Sequence, residues 1–327
     1  MDRNQSKENC PDCEGLDRRD FMAVAGTALA ASSLPLIATS SASAAPTKKS
    51  AAESAAGRLF DSLTDDQKKV VALPFSDPRR HKISANWKVT AASIGQFFSA
   101  DQQEIIKEIV QGVTSGDGFE RFMRQMKADA GGFEKYSIAL FGNPKEDKFE
   151  FELTGRHLTL RADGNCVPGA AFGGPIVYGH GASGNSKGNL FAYQTNRANE
   201  VFKALDGKQR EKALLKKAPK ESAVQLRDDV DALPGIACSE LMKDQKELVA
   251  ATLRDILKPY REEDVDEVME IVKAGGGMDK VHIAFYESGD LDNDKVWDVW
   301  RLESPNLVCH FRGAPHVHAY INVAKRA

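Results

Sequence analysis

Four stretches of the chain share one pattern, in which an acidic residue and a glutamine come just before a run with apolar positions at helical spacing. The glutamines are Gln67, Gln103, Gln209 and Gln245. In the second stretch Ser99 stands three residues before Gln102, which is the spacing of a capping box, and the apolar residues that follow fall on one helical face. The pattern therefore predicts an amphipathic helix at each of the four places.

The spacing of these helices predicts an internal duplication. Gln67 and Gln209 are 142 residues apart, and so are Gln103 and Gln245. A ten-residue block, 131–140, also matches 276–285 at an offset of 145, with five identical positions. Similar helix starts arise by chance, but a match that runs across a helix end, a Gly-Gly turn and a strand favours duplication.

Strand patterns follow the helices in each half. They cover residues 136–141, 148–153 and 156–161 in the first half, and residues 281–287, 296–302 and 307–311 in the second. Helices followed by strands, in place of strict alternation, indicate an α+β fold with a mainly antiparallel sheet. We expect two pseudo-repeated halves, each made of helices followed by a mainly antiparallel strand meander.

The chain divides into five predicted segments. They are a signal peptide over residues 1–44, a linker over 45–62, a first α+β half over 63–162, a Gly-rich connection over 163–197 and a second α+β half over 198–327. The connection contains a GxGxxG match that starts at Gly179, but a polar loop and then helices follow it. A dinucleotide site needs a helix and a second parallel strand there, so we expect no nucleotide cofactor. Ser183 lies in the same stretch without the spacing of a nucleophile elbow.

The first 44 residues have the features of a twin-arginine signal peptide. Arg18 and Arg19 precede an alanine-rich apolar stretch, and Ala42-Ser43-Ala44 is a small-x-small cleavage pattern. The apolar stretch is too short for a membrane anchor, and Pro35 interrupts it. We predict that the twin-arginine machinery exports the protein to the periplasm or the extracellular space. Many proteins that take this route fold around a metal or cofactor first, although many others carry none.

Charge and cysteine content exclude several classes of protein. The 327 residues include 44 basic and 47 acidic side chains, a net charge of −3 without a dense basic block, which excludes a general nucleic-acid binder. Beyond the N-terminal segment, no apolar run is long enough for an integral membrane protein. Cys166, Cys238 and Cys309 are far apart in the mature chain, so we predict a fold held by its core and not by disulfides.

Three motifs form a combination that is specific when taken together. They are Leu73-Pro74-Phe75-Ser76-Asp77-Pro78-Arg79-Arg80, the pair Phe141-Gly142-Asn143-Pro144 and Gly155-Arg156-His157-Leu158-Thr159-Leu160, and Pro315-His316-Val317-His318. With them the chain resembles the domain-of-unknown-function family 3500 from about residue 63 to residue 323. The family pattern reads Gly-His-His-Leu where this chain has Arg156 in place of the first histidine. The resemblance implies a bacterial protein with the helix-and-strand pattern above, and it implies no particular reaction.

Four of the seven histidines are candidate metal ligands. His316 and His318 are two residues apart in a predicted strand, so their side chains point to one face. His157 and His282 also fall in predicted strands, one from each half. Because imidazole binds zinc, copper, iron and nickel, we predict a site for copper, iron or zinc at these four residues. A His-x-His pair also occurs on a polar strand face that binds nothing, and that alternative stays open.

These features leave three functions of different kinds. The first is an exported metal-dependent enzyme, in which copper or iron would supply redox chemistry and zinc would activate water for hydrolysis. The second is a non-catalytic periplasmic or cell-envelope protein that binds a small molecule or a polymer near the Gly-rich connection. The third is a structural envelope protein without a site. The metal content of protein purified without a histidine tag separates the first from the others.

Overall fold

The computed structural model describes residues 45–326 except 147, 183, 185 and 228–231. The described helices are α1 (Ala51–Ser62), α2 (Asp65–Val71), α3 (Ile94–Phe97), α4 (Ala100–Gly112), α5 (Gly116–Ala130), α6 (Ala192–Ala204), α7 (Gly207–Ala213), α8 (Lys243–Leu257) and α9 (Glu262–Ala274). The strands are β1 (Ala72–Leu73), β2 (Ser137–Gly142), β3 (Phe149–Gly155), β4 (Leu158–Ala162), β5 (Ile176–His180), β6 (Leu214–Leu215), β7 (Ile236–Ala237), β8 (His282–Tyr286), β9 (Val299–Ser304), β10 (Leu307–Arg312) and β11 (Val317–Val323).

All eleven described strands form one sheet in the order β1-β2-β3-β4-β5-β11-β10-β9-β8-β6, and β7 pairs with β8 at the side. The pairs β1–β2 and β6–β8 are parallel, and the other pairs are antiparallel. The predicted α+β class with a mainly antiparallel sheet is therefore confirmed. In the chain's second half the strand meander runs from β8 to β11, and β11 pairs with β5 at the middle of the sheet.

The two faces of the sheet are covered by different parts of the chain. Alternate strand residues such as Cys309 and Phe311 pack with the helices in the main hydrophobic core. The residues between them face two long loop segments, 74–92 and 216–227. Ala85 and Val224 from these segments pack against Tyr320 of β11 in a smaller cluster. We call the face of the sheet that these two segments cover the loop-covered face. Its residues do not pack in the main core, so polar side chains are tolerated there, and the candidate site lies on this face.

Helices α2, α4, α7 and α8 begin at the four places predicted, but in α4 the glutamine that corresponds to Gln67 is Gln102 and not Gln103. These capping glutamines also hold neighbouring helices together. The side-chain amides of Gln67 and Gln102 donate to each other over 2.9 and 3.0 Å. Those of Gln209 and Gln245 do the same over 3.1 and 2.8 Å. Each of these glutamines thus makes hydrogen bonds to the backbone at the start of its own helix and to the glutamine of a neighbouring helix.

The strand connections of the two halves also correspond. In the first half β1 pairs in parallel with β2, and in the second half β6 pairs in parallel with β8. Gly155 pairs with Leu158 across the turn between β3 and β4, and Ser304 pairs with Leu307 across the turn between β9 and β10. The duplication itself stays a prediction.

The structure changes two of the predicted segments. Residues 45–62, expected to be a linker, contain α1, whose Ala52, Ala56 and Leu59 are fully buried. Residues 163–197, expected to be a connection, contain β5 and the start of α6. Alanine-rich and glycine-rich composition suggested connecting segments, whereas small side chains here let a helix and a central strand pack closely. The predicted signal peptide lies outside the described residues.

No helix in the described part of the chain combines the length and the apolar character that a bilayer crossing requires.

Candidate metal site

Three of the four predicted ligands come together on the loop-covered face. One ring nitrogen from each of His157, His316 and His318 lies within 4.8 Å of the other two. The Nε2 atoms of His316 and His318 are 3.1 Å apart. For two nitrogens about 2.05 Å from one ion, a separation of 3.1 Å corresponds to an angle of about 98° at the ion. This pair already has the spacing of two ligands of one ion, and a ring nitrogen of His157 lies within 4.8 Å of both.

Strand pairing places His318 between two neighbours. His318 lies on β11 opposite Arg312 of β10 and opposite Gly179 of β5. A Cβ atom on Gly179 would be 3.2 Å from the His318 ring and 2.2 Å from the backbone oxygen of Val317. Glycine at this position therefore leaves the space in which the imidazole sits. His316 is just before the strand and is partly exposed, which opens the cluster to solvent on that side.

His157 reaches the cluster from the turn between β3 and β4, and not from a strand as predicted. β4 begins at Leu158, and His157 takes a left-handed backbone conformation with φ 59°. Its backbone N–H donates to the carbonyl of Ala85 in the loop segment, at 2.6 Å. Because a left-handed conformation is unfavourable for a side chain with a Cβ, this contact helps to hold the turn. His157 is only 4% exposed.

Asp129, in the last turn of α5, orients His157. One carboxylate oxygen is 2.8 Å from His157 Nδ1, and the backbone N–H of Gly181 donates to the same carboxylate at 2.9 Å. Burial raises the pKa of Asp129, but the hydrogen bonds from His157, His180, Gln125 and Gly181 outweigh it and hold the pKa far below its usual value. The carboxylate is therefore ionised and accepts a hydrogen bond from the Nδ1–H of His157. The Nε2 lone pair is left for the cluster.

Glu221, from the loop segment 216–227, orients His318 as Asp129 orients His157. Its Oε2 lies 2.8 Å from His318 Nδ1, and its Oε1 accepts from Arg312 Nη1 at 2.8 Å. A carboxylate behind the Nδ1 of a metal-binding histidine fixes the tautomer and raises the basicity of Nε2. Two of the three histidines therefore have the backing that metal-binding histidines have.

Arg312 also faces the remaining histidine. Its Nη2 is 3.2 Å from His316 Nε2, and since a guanidinium only donates, that nitrogen is the unprotonated acceptor. Burial, together with the positive charges of His318 and Arg312, lowers the pKa of His316 to about 4, and burial lowers the pKa of His318 as well. Both imidazoles are therefore neutral near pH 7, as ligands must be.

His282 is not part of this cluster. It lies at the start of β8 opposite Glu303, and β9 and β10 separate it from β11. Three strand spacings amount to about 14 Å, too far for a shared ion. Burial lowers the pKa of His282. The sequence put His282 on a strand correctly, but it did not reveal how many strands lay between.

The remaining histidines have other surroundings. His180 Nδ1 lies 3.3 Å from Asp129, and His180 Nε2 is 3.1 Å from the carbonyl of Gly188. His310 is buried, which lowers its pKa to about 3. His81 Nε2 is 3.1 Å from a guanidinium nitrogen of Arg80. His180 therefore supports the cluster through Asp129, while His310 and His81 stand outside it.

Sequence reasoning missed Asp129, Glu221 and Arg312. Asp129 sits just before the Gly131-Gly132 turn, and neither hydrophobic period nor spacing relates it to a histidine 28 residues later. Arg156 is exposed, and the guanidinium beside the imidazoles is that of Arg312.

The cluster can hold a borderline metal ion. It offers three imidazole nitrogens, which suit zinc, copper and iron, and the described residues around it add no thiolate. Three protein ligands with a solvent-facing side are typical of catalytic sites, in which water or substrate takes the remaining coordination position.

Comparison with known proteins identifies a family and no activity. No curated protein and no solved structure matches the chain. A family model described as "Protein of unknown function (DUF3500)" matches residues 45–323, and this range contains every residue of the cluster and its two carboxylates. Since the match covers most of the chain, the protein belongs to the DUF3500 family.

Proposed function

We propose that this protein is a metal-dependent enzyme whose centre is one transition-metal ion on His157, His316 and His318. The observation that supports this most is the convergence of three ring nitrogens within 4.8 Å, two of them on histidines whose Nδ1 faces a carboxylate. An arrangement of this kind is costly to keep without a ligand, because unprotonated nitrogens would face one another.

The donor set limits the chemistry. Zinc on three imidazoles and one water lowers the pKa of that water to about 7 and supplies hydroxide for hydrolysis. Copper or iron at the same ligands would supply redox chemistry. In each case the chain's own part is to fix three imidazoles, keep two carboxylates behind them and leave the His316 side open to a substrate.

Metal analysis tests this proposal. Protein made without a histidine tag should contain about one metal ion per chain, and His316→Ala with His318→Ala should remove it, since the loss of two ligands leaves one. His282→Ala is the matched control, because this histidine is on the same sheet but outside the cluster, and it should keep its metal. Metal that stays at one ion per chain in the double variant would contradict the proposal.

We also propose that the protein is exported through the twin-arginine machinery. The paired arginines and the cleavage pattern support this, and the family match begins at residue 45, directly after that pattern. Replacing Arg18 and Arg19 with lysine should leave the full-length precursor inside the cell, detected by fractionation. Normal export of that variant would contradict the proposal.

One observation favours small-molecule binding as a second candidate function. A cavity of about 380 Å³ opens on the loop-covered face beside Tyr286 and Glu303, with Lys217 and Arg227 among its lining residues. This volume is in the range of small-molecule sites. A ligand that raises the melting temperature of the wild type but not of Tyr286→Ala would identify this cavity as the binding site.

We infer, finally, that the two halves descend from one duplicated unit. The matching glutamine pairs, the matching parallel strand pairs and the matching turn registers support this inference. The three histidines of the cluster do not take part in the match, since His157 corresponds to Asn306 in the other turn.

A further inference from the structure

Arg312 stands against the imidazoles of the metal site. Its Nη2 is 3.2 Å from His316 Nε2 and 2.8 Å from His318 Nδ1, while its Nη1 donates to Glu221. The side chain of Arg312 is 22% exposed, so it lies at the mouth of the cluster and not beneath it. A fixed positive charge next to a bound cation is electrostatically unfavourable unless a negative charge offsets the repulsion.

Metal binding would take away the acceptor that Arg312 now uses. An ion on His316 occupies the Nε2 lone pair, so that nitrogen can no longer accept from Nη2. In the His318 tautomer that leaves Nε2 for the ion, the Nδ1–H donates to Glu221, and Nδ1 offers no lone pair to Arg312, which lies 2.8 Å away. The N–H groups of Nη2 would then face the open side of the ion without an acceptor from these histidines.

The charges around the centre lead to the same conclusion. A divalent ion adds two positive charges, Asp129 and Glu221 add two negative charges, Arg312 adds one positive charge and the three imidazoles are neutral. The sum is +1, and one anionic ligand on the ion would balance it. A partly buried site with an unbalanced charge is unfavourable, so an anion is the ligand expected here.

We propose that Arg312 is the anion-binding residue of this centre and that the substrate carries a carboxylate or a similar oxyanion. One oxygen of the anion binds the ion, and the second accepts from Arg312 Nη2. The planar guanidinium suits this arrangement, because it presents parallel N–H donors to the two oxygens of a carboxylate. The inference rests on the metal-binding function proposed above.

Cobalt-loaded protein tests the inference. Co²⁺ substitutes for zinc, and its visible absorption changes when an anion enters the coordination shell, so acetate can be titrated directly. Wild-type protein should bind acetate, and Arg312→Met should bind it about tenfold more weakly or worse, because a charge-assisted pair is lost. Arg312→Lys keeps the charge without the planar donors and should be intermediate. Arg58→Met, which removes an exposed arginine paired with Glu108, should equal the wild type.

Cobalt stoichiometry, measured first, separates the two proposals. Wild-type protein that takes up no cobalt would overturn the metal site and this inference with it. One cobalt per chain without acetate binding, or with equal acetate affinity in Arg312→Met, would overturn the role of Arg312 and leave the metal site in place. If Arg312→Met loses its cobalt, Arg312→Lys decides: weaker acetate binding supports the role, and unchanged binding overturns it.

Discussion

The pairing of β5 with β11 has two ends, and the chain uses them in opposite ways. Val317 pairs with His180 at one end, and Ile321 pairs with Ile176 at the other. At the first end His318, the second residue of β11, lies opposite Arg312, and the nearby turn carries His157. At the other end, the matching turn between β9 and β10 carries Asn306. The two turns share their pair register, but His157 takes a left-handed conformation with φ 59° and Asn306 does not.

The second end is closed by glycines and an acid. Gly173, before β5, has φ +75°, and a Cβ there would be 2.7 Å from Asp163 Cγ. Asp163 accepts backbone N–H groups from Asn165 and Val167, and burial raises its pKa to about 6. The acid closes a turn, whereas the imidazoles at the other end face one another and solvent. The candidate site therefore lies at one end of the β5–β11 pair, and a turn held by hydrogen bonds to Asp163 lies at the other.

Alanine substitutions at the two turn residues, His157 and Asn306, should give the largest difference in metal affinity. His157→Ala removes one of three ligands, so we expect metal affinity to fall by about 100-fold or more. Asn306→Ala removes the residue at the matching turn, whose side chain donates to the carbonyl of Ile271, and should keep the metal with some loss of stability. Competition titration with a chelator measures both. Equal metal affinities would show that the two ends do not differ in the proposed way.

Asp129→Asn should have the next largest effect. The amide keeps the size of the side chain but removes the charge that orients His157, and we expect metal affinity to fall about 10- to 100-fold. The same titration measures it. Asp163→Asn makes the equivalent change at the other end and should leave metal affinity unchanged, so a similar loss in both variants would contradict the assignment.

Substitutions in the two glutamine pairs should lower the stability of the protein by similar amounts, because the pairs hold corresponding helices in the two halves. Gln102→Ala and Gln245→Ala each break a reciprocal amide pair and a helix start, and each should lower the free energy of unfolding by about 2 kcal/mol. Urea denaturation gives both values. Neither variant should change the metal content, and very unequal losses of stability would count against the correspondence of the halves.

The pH dependence of the metal-free protein should show the smallest effect, with opposite signs at the two ends. The pKa of His316 is lowered to about 4 from 6.5, so its contribution is present above pH 6.5 and is lost as the pH falls towards 4. The pKa of Asp163 is raised to about 6 from 3.8, so its contribution is present below about pH 4 and is lost as the pH rises towards 6.

Variants at the two positions separate these contributions. Between pH 7 and pH 4.5, His316→Asn should lose less stability than the wild type, because it removes a group that resists protonation. Asp163→Asn should lose more, because it removes a group that favours the fold once protonated. Urea midpoints at the two pH values measure both losses of stability. If both variants lose less than the wild type, or both lose more, the assignment is refuted.

Local patterns predicted much of the fold, and long-range pairing limited the rest. The glutamine helices and the antiparallel meander follow from short-range periodicity. The His316–His318 pair was predictable because alternation along one strand places both rings on one face. The exclusion of His282 and the presence of Asp129 were not predictable, because they depend on strand order and on where a helix end meets a turn.

The ligands of the proposed ion are far apart in the sequence. His157 and His316 are separated by 159 positions, and they meet only when β4, β5 and β11 have paired. An ion held between them would stabilise the folded state, because the unfolded chain does not bring these ligands together. Occupancy of the proposed site would therefore report that β4, β5 and β11 have paired.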